Sequence, residues 1–470
     1  MREFPPTENV VTKPRETTPN RDPVPALTAG SQPSPPHDGP PMPVTCRLSR
    51  RAANTSSQPI SALMHLALSR PELISLAAGF TDQQSLPVDE TRSAMAALLS
   101  DLPRARSALQ YGTNAGYPPL RNAVLARFLA ADGRATARPP TVDQVVLTAG
   151  SNQLLHLVCE ALLDPGDVVL CAAPTYFVFL GLLAGLSARS VGVAIDEEGL
   201  IPEALDEELR RWHAAGQLSR IKAIYVTSYY DNPSTISLSR ARRAAIVEIA
   251  KRWSSQHRIY IIDDSAYREL RYSGEDRPSL RAYDEEGDTV VVAETFSKSF
   301  SPGIRVGWGI LPAALVEPVC SQKANIDFGS PHFNQQLMSA VFEQNLFDSH
   351  VELVRAAYRE KLAAMLGAMD EYLRPIPGTN WSRPTGGLYV WLHLPPDMDA
   401  GPTSALMKHA LDEGVLYVPG EYCYPTEGAP RWTNRIRLSF GVQSCENIRR
   451  GIEALARAIA RSKATATAQE

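Results

Sequence analysis

Nowhere do the 470 residues hold a run approaching the roughly 18 uninterrupted apolar residues of a membrane-spanning helix, and the N-terminus has no compact apolar core followed by a cleavage site. A soluble, cytoplasmic protein is expected. Cysteine is scarce: Cys46, Cys159, Cys171, Cys320, Cys423 and Cys445 are the six, and no two are spaced as a metal clamp or redox pair. They read as reduced thiols, with Cys159 and Cys171 as small core residues among apolar neighbours. None of the nine histidines stands at metal-ligand spacing, so no metal site is expected. Neither sign of charge is in large excess. A formal net charge of −4 gives no general pull toward nucleic acid or an anionic membrane, although local anion sites remain open.

What is present is mostly globular. At 44% hydrophobic and 21% charged residues, a chain of this length can bury a large core and form more than one domain. The exception is the start, residues 1–45, where Pro, Thr and Ser dominate and too little apolar surface exists to offset ordering. It reads as a disordered tail, with a weak targeting leader as the lesser alternative. An amphipathic helix is expected around Ile60–Leu68, then an extended stretch over Leu73–Thr81. Apolar runs at Val145–Thr148, Val168–Cys171, Ala223–Thr227, Ile259–Ile262 and Val290–Ala293 read as strands, alternating with helical segments such as LLHLVCEALLD. Such alternation implies a mostly parallel α/β sheet with helices on both faces. From about Ser330 to Leu373 helical patterning dominates, with a connector expected near Asp348-Ser349-His350.

The run Val290-Val291-Val292-Ala293 delivers one lysine, Lys298, into a loop of hydroxyl residues, Thr295-Phe296-Ser297-Lys298-Ser299, followed by Ser301-Pro302-Gly303-Ile304-Arg305-Val306-Gly307-Trp308. A partly desolvated amine loses its proton more easily and becomes a nucleophile toward carbonyls, the requirement of Schiff-base chemistry. The alternative is a solvated surface lysine. This segment resembles the lysine motif of class I and II aminotransferases, pyridoxal-phosphate (PLP) enzymes of fold type I, and is similar to their 2-aminoadipate and kynurenine branch. The resemblance implies that Lys298 forms the Schiff base, that Arg305 grips the cofactor phosphate and that Thr295 adds a hydroxyl to it. A guanidinium is a good fork for a phosphate dianion.

Further segments carry the resemblance over roughly residues 70–455. Leu73-Ile74-Ser75-Leu76-Ala77-Ala78-Gly79-Phe80-Thr81 is similar to the family's arm near the substrate, placing Gly79 there; a plain strand and turn is an equal reading. Gln110-Tyr111-Gly112 matches a segment whose tyrosine reaches the partner subunit's cofactor phosphate, so Tyr111 inherits that role or is a packed aromatic beside a turn. Gly150-Ser151-Asn152-Gln153, at a helix start, offers free N–H groups and a positive dipole end. The resemblance gives Ser151 and Asn152 to phosphate, while Ser as a simple N-cap is the alternative. Tyr176, after Ala173-Pro174-Thr175, would cover the pyridine ring or else pack in the core. Asn232-Pro233 matches the family's pair, whose amide bonds the ring hydroxyl, but Ser234-Thr235 stands where Thr-Gly is usual, which leaves the turn's shape open.

Asp263-Asp264 ends a strand, and because successive residues face opposite ways only one aspartate can face a ligand. The family pattern Asp-x-x-Tyr selects Asp264 for the pyridine nitrogen and Tyr267 for the ring oxygen. Near the end, Gly386-Gly387-Leu388-Tyr389 and Arg435-Ile436-Arg437-Leu438-Ser439-Phe440 read as strands of a smaller α+β domain, and Arg437 would clamp the substrate carboxylate. The implied layout is an arm with part of the small domain at 46–90, a PLP-binding domain at 91–330, a C-terminal small domain at 331–458 and a flexible tail at 459–470.

The implied activity is amino-group transfer from an amino acid to a 2-oxo acid, with 2-oxoglutarate the expected acceptor, in a homodimer. A β-eliminating or C–S lyase on the same scaffold is the alternative, since both begin with the same carbanion. A PLP-sensing transcription regulator would need an attached DNA-binding domain, which the Pro-rich first 43 residues do not suggest.

Overall fold

In the computed structural model, residues 46–55, 59–132 and 138–467 are described. The tail expected over residues 1–45 lies outside them. Apolar runs bounded by Gly, Pro and Asp become the strands of the larger sheet. Val168–Ala173, between Gly166-Asp167 and Pro174, is buried at every residue, as is Val290–Thr295. Strands covered on both faces read as unbroken apolar runs rather than alternating ones. Across the sheet the order is Glu427–Gly428, Arg189–Asp196, Val168–Ala173, Ile221–Thr227, Tyr260–Asp264, Val290–Thr295, Gly307–Ile310 and Val145–Thr148. All neighbours are parallel except Gly307–Ile310, which runs antiparallel to the strands on either side of it. This is the mostly parallel α/β sheet that the sequence implies.

Side-chain parity splits the core in two. Ile224, Val226, Ile261, Val290 and Val292 belong to one apolar layer, and Tyr225, Ile262, Val291 and Ala293 to the other. Each such aliphatic residue, fully buried, contributes roughly 1.5–3 kcal/mol. The register pairs Tyr225 with Ile262 and Thr227 with Asp264, so polar groups at two adjacent strand ends share one face. The C-terminal ends of parallel strands are where ligand sites collect.

A second, antiparallel sheet of Asn380–Trp381, Tyr389–His393, Arg435–Ser439 and Val418–Pro419 shares its apolar core with the helices Leu346–Tyr372 and Cys445–Thr467. The helix expected at Ile60–Leu68 spans Pro59–Ser69. Within the stretch Leu73–Thr81, Ile74–Ser75 pairs in parallel with Val415–Leu416, and Leu76 adds backbone bonds with Leu416 and Ser439.

Three expectations are corrected. No connector interrupts Asp348-Ser349-His350: the helix runs unbroken from Leu346, and the break falls at Gln344-Asn345, where Asn345 has φ +56°. Asparagine tolerates this left-handed conformation, whereas buried Phe347, His350 and Val351 hold the following turns in the helix. The boundary placed after residue 330 is also crossed. The helix His332–Glu343 buries Leu337, Met338 and Val341 in the same cluster as Val290 and Val292 of the larger sheet. In place of a flexible tail from 459, the last helix continues to Thr467, with Ile459 fully buried.

Candidate active site

Lys298 lies in the turn after the strand Val290–Thr295, and its Nζ donates a 2.7 Å hydrogen bond to the carbonyl of Gly79. It faces a cavity of about 370 Å³ that also exposes Gly79, Ser151, Asn152, Tyr176, Asn232, Asp264, Tyr267, Thr295, Arg305 and Arg437. Every sequence-level candidate but one is therefore brought to a single place. Burial holds the Lys298 ammonium below its ordinary range, opposed by Tyr389 and helped by the cations of Arg437 and Arg305.

One end of the cavity is built for an anion. The helix Ser151–Leu162 begins there without a side-chain cap, after Gly150 at φ +82°. Its first amides and positive dipole end face outward. The Arg305 guanidinium crosses beside them, donating to the Ala149 carbonyl at 3.1 Å and to Ser297 Oγ at 3.3 Å. A Cβ on residue 150 would stand 2.7 Å from Arg305 Nη2, so glycine leaves room for this arginine as well as for the positive φ. Thr295 donates to Ser297 Oγ at 2.9 Å, which places two hydroxyls at the same end.

The floor holds a carboxylate. Asp264 is 5% exposed, and accepts from the Tyr225 hydroxyl at 2.8 Å and from the Ala266 amide at 3.3 Å. Burial pushes its carboxyl up to about 6, with those two bonds opposing the rise. Asp263 points to the other face, accepting from Ser265 Oγ and the Leu280 amide, and does not reach the cavity.

Toward the smaller sheet, Arg437 is 2% exposed and donates to Asn232 Oδ1 and to the Ala77 carbonyl, both at 2.9 Å. Its Nε has no protein partner. Tyr267 and Tyr389 place their hydroxyls 3.2 Å apart. Gly79 lets the segment pass close to the Tyr389 hydroxyl; a Cβ there would force that side chain or the segment to shift. The turn that departs from the family pattern is anchored on Asp231, whose Oδ2 accepts from the Ser234 amide at 3.0 Å and from its hydroxyl at 2.6 Å. Thr235 takes φ +69° where the family has glycine.

Tyr111 is the exception. It is 77% exposed and meets Phe328, itself 63% exposed, edge to face at 5.6 Å, outside the cavity. Thr227, Ser297, Phe80 and Tyr389 also line the cavity, and Tyr225 supports it from behind through Asp264; none of the five was among the sequence candidates. Tyr225 and Thr227 were discoverable, since they share parity at the end of a strand already identified. Elsewhere, the carboxylates of Asp284, Glu286 and Asp288 cluster within 4.8 Å, but Lys251 and Arg258 already pair with them.

A family model, aminotransferase class I and II, matches residues 71–455. The chain belongs to this family. It is therefore a transaminase of PLP fold type I. An aromatic-amino-acid aminotransferase of Thermococcus litoralis is 31% identical over 87% of this chain and 93% of its own length. The kynurenine aminotransferase of Pyrococcus horikoshii, solved with PMP, superposes with a TM-score of 0.80 at 28% identity, covering 88% of this chain and 97% of that one. The α-aminoadipate aminotransferase of Thermus thermophilus, solved with N-(5'-phosphopyridoxyl)-L-leucine, gives a TM-score of 0.77 at 28% identity, covering 89% of this aminotransferase and 98% of its own chain.

Proposed function

We propose that this aminotransferase binds PLP through Lys298 and transfers the amino group of an uncharged, apolar amino acid to a 2-oxo acid, with 2-oxoglutarate as acceptor. The observation that carries this reading is the convergence, around one cavity, of a desolvated amine, a buried carboxylate and a helix N-terminus flanked by a guanidinium. The donor set fits the cofactor group by group. Arg305, Thr295, Ser297, Ser151 and the amides after Gly150 suit a phosphate dianion. Asp264, costly to ionise alone, would be relieved by a protonated ring nitrogen. We assign Asn232 and Tyr267 to the ring oxygen and Tyr176 to the ring face.

When bound, PLP supplies an electron sink for the bond at the amino acid's α-carbon. The chain's own groups do the rest. Arg437, with an unpartnered Nε and an otherwise fixed guanidinium, orients the substrate carboxylate. Lys298, with its amine free, would carry the α-proton as general base and acid. Phe80, Phe177 and Val178 limit water. Among the described residues, the lining outside the groups assigned above, which includes Ser61, Met64, Phe177 and Val178, contains no Asp, Glu, Lys, Arg or His, which supports an uncharged substrate side chain. Among the relatives, those named for aromatic amino acids and kynurenine agree with this, whereas the α-aminoadipate aminotransferase is named for a substrate with a second carboxylate, which the donor panel below addresses.

Borohydride reduction of the cofactor-loaded protein followed by peptide mapping tests the reading. The pyridoxyl label is expected on Lys298, and a label elsewhere, or none, overturns it. A panel of amino donors with 2-oxoglutarate tests the substrate class: leucine and phenylalanine are expected to exceed glutamate analogues with an extra carboxylate, and the reverse order rejects it. We further propose a cytoplasmic homodimer in which Tyr111 reaches the second copy's phosphate site, a role its exposed pairing with Phe328 supports.

A further inference from the structure

The turn that holds Asn232 contributes to two cavities. Asn232 lines the one that contains Lys298, whereas Ser234 and Thr235 line a separate cavity of about 770 Å³, about twice as large as the first. This second cavity lies between the end of Val168–Ala173 on the larger sheet and the strands Asn380–Trp381, Tyr389–His393 and Arg435–Ser439 of the smaller one. Residues two apart on a strand share a face, so Arg435 and Arg437 point the same way. Each reaches a different cavity.

The walls of the second cavity are aromatic and cationic. Trp391 and Tyr424 are buried in its lining, and Trp432 is half exposed beside them. The Arg435 guanidinium lies over the Trp432 ring, 5.3 Å from the centroid, and donates to the Asn434 carbonyl at 3.4 Å. Arg277 donates to the carbonyls of Ser237 and Leu238, both at 3.0 Å. Among the described residues neither arginine pairs with a carboxylate. The other charges of the lining are largely spent: Arg383 pairs with Asp370, and Asp196 with Arg242 at 2.6 Å. Burial and the Arg435 cation hold His393 down to about 4, so it adds no charge at neutral pH. Two guanidinium groups without a counter-ion thus stand against one exposed carboxylate, that of Glu197.

We propose that this cavity is a second binding site, for an aromatic carboxylate whose ring packs against Trp391, Tyr424 and Trp432 and whose anion pairs with Arg435. A volume of this size suits a small molecule, and a wall rich in aromatic faces with a few polar groups is the lining such sites have. The indole and phenol faces favour a flat ring over an aliphatic chain. A guanidinium lying over an indole keeps its N–H edge for a carboxylate, so ring and anion are held at once. The site includes neither Lys298 nor Arg437, and it stands whether or not the cofactor assignment does.

The test is photolabelling of the full chain, as purified, with 4-benzoylbenzoate, followed by peptide mapping. Label is expected within residues 381–385 or 424–432. The concentration for half-maximal labelling there should rise by about tenfold in Arg435→Gln, which removes one charge-assisted contact. Trp432→Ala, which alters a half-exposed ring, should weaken labelling as well. The uncharged 4-(hydroxymethyl)benzophenone should need about tenfold more to label the same residues of the native chain, a comparison that depends on no variant folding. Label confined to the Lys298 cavity overturns the proposal. So does labelling of residues 381–385 and 424–432 that is equal for the charged and uncharged probes or unmoved by Arg435→Gln.

Discussion

Removing one amine and one carboxylate reads the site at its finest grain. Lys298→Ala is expected to abolish the visible absorption of the bound cofactor and turnover while some cofactor still binds through the anion end; absorbance spectra and phosphate-analogue competition check it. Asp264 carries a pH signature. Its folded-state carboxyl is raised from 3.8 to about 6, so the folded chain without cofactor holds a proton that the unfolded chain has lost between those values. That contribution is present below about pH 4 and is lost as pH rises through about 6. It amounts to about 3 kcal/mol. Thermal melts of the cofactor-free chain should show this fall, and Asp264→Asn should flatten it. Asp264 and Lys298 were legible because each ends an apolar run and strand parity selects one aspartate. Tyr389 was not, because its importance depends on Gly79 and Tyr267, residues far away in sequence that only folding brings to its hydroxyl.

Turns and helices carry the next level of expectation. Thr235 holds φ +69°, a conformation costly for a β-branched side chain, and its amide is tied to the Asp231 carbonyl at 2.6 Å. Thr235→Gly should therefore stabilise the protein by about 1 kcal/mol, read as a raised denaturation midpoint, with Asn232 undisturbed; an unchanged or lowered midpoint rejects the strain account. The departure from the usual Thr-Gly was visible in the sequence, but its geometry was not: Ser234 recovers the turn by bonding Asp231, a contact no spacing rule announces. The helix break was misplaced for a related reason. Asp348-Ser349 is polar and resembles a linker, but His350 behind it is buried, and the preceding Asn345 supplies the reversal.

For the molecule as a whole, the parallel sheet was the most legible feature, because strands covered on both sides must be apolar throughout and five of them were. The strand Arg189–Asp196, next to the edge, and the antiparallel Gly307–Ile310 escaped notice, the first mixing polar residues into its run and the second holding two glycines among four residues. Domain limits were less legible, since the helix His332–Glu343 follows the lysine loop in sequence yet packs back onto the sheet. Association is tested at this scale. Tyr111→Ala with Phe328→Ala should shift the mass measured by analytical ultracentrifugation from two chains toward one and weaken cofactor retention; an unchanged two-chain mass with full retention rejects the cross-subunit role.

The bond from Lys298 to the Gly79 carbonyl spans 219 positions of sequence. It staples the N-terminal segment to the rim of the sheet with the very nitrogen that chemistry requires elsewhere. If that nitrogen takes up the proposed Schiff base, the stretch around Phe80 would have to rely on its other contacts, such as the Leu76 bonds to Leu416 and Ser439. On that reading, one hydrogen bond ties the entry of the cleft to the state of the amine at its centre.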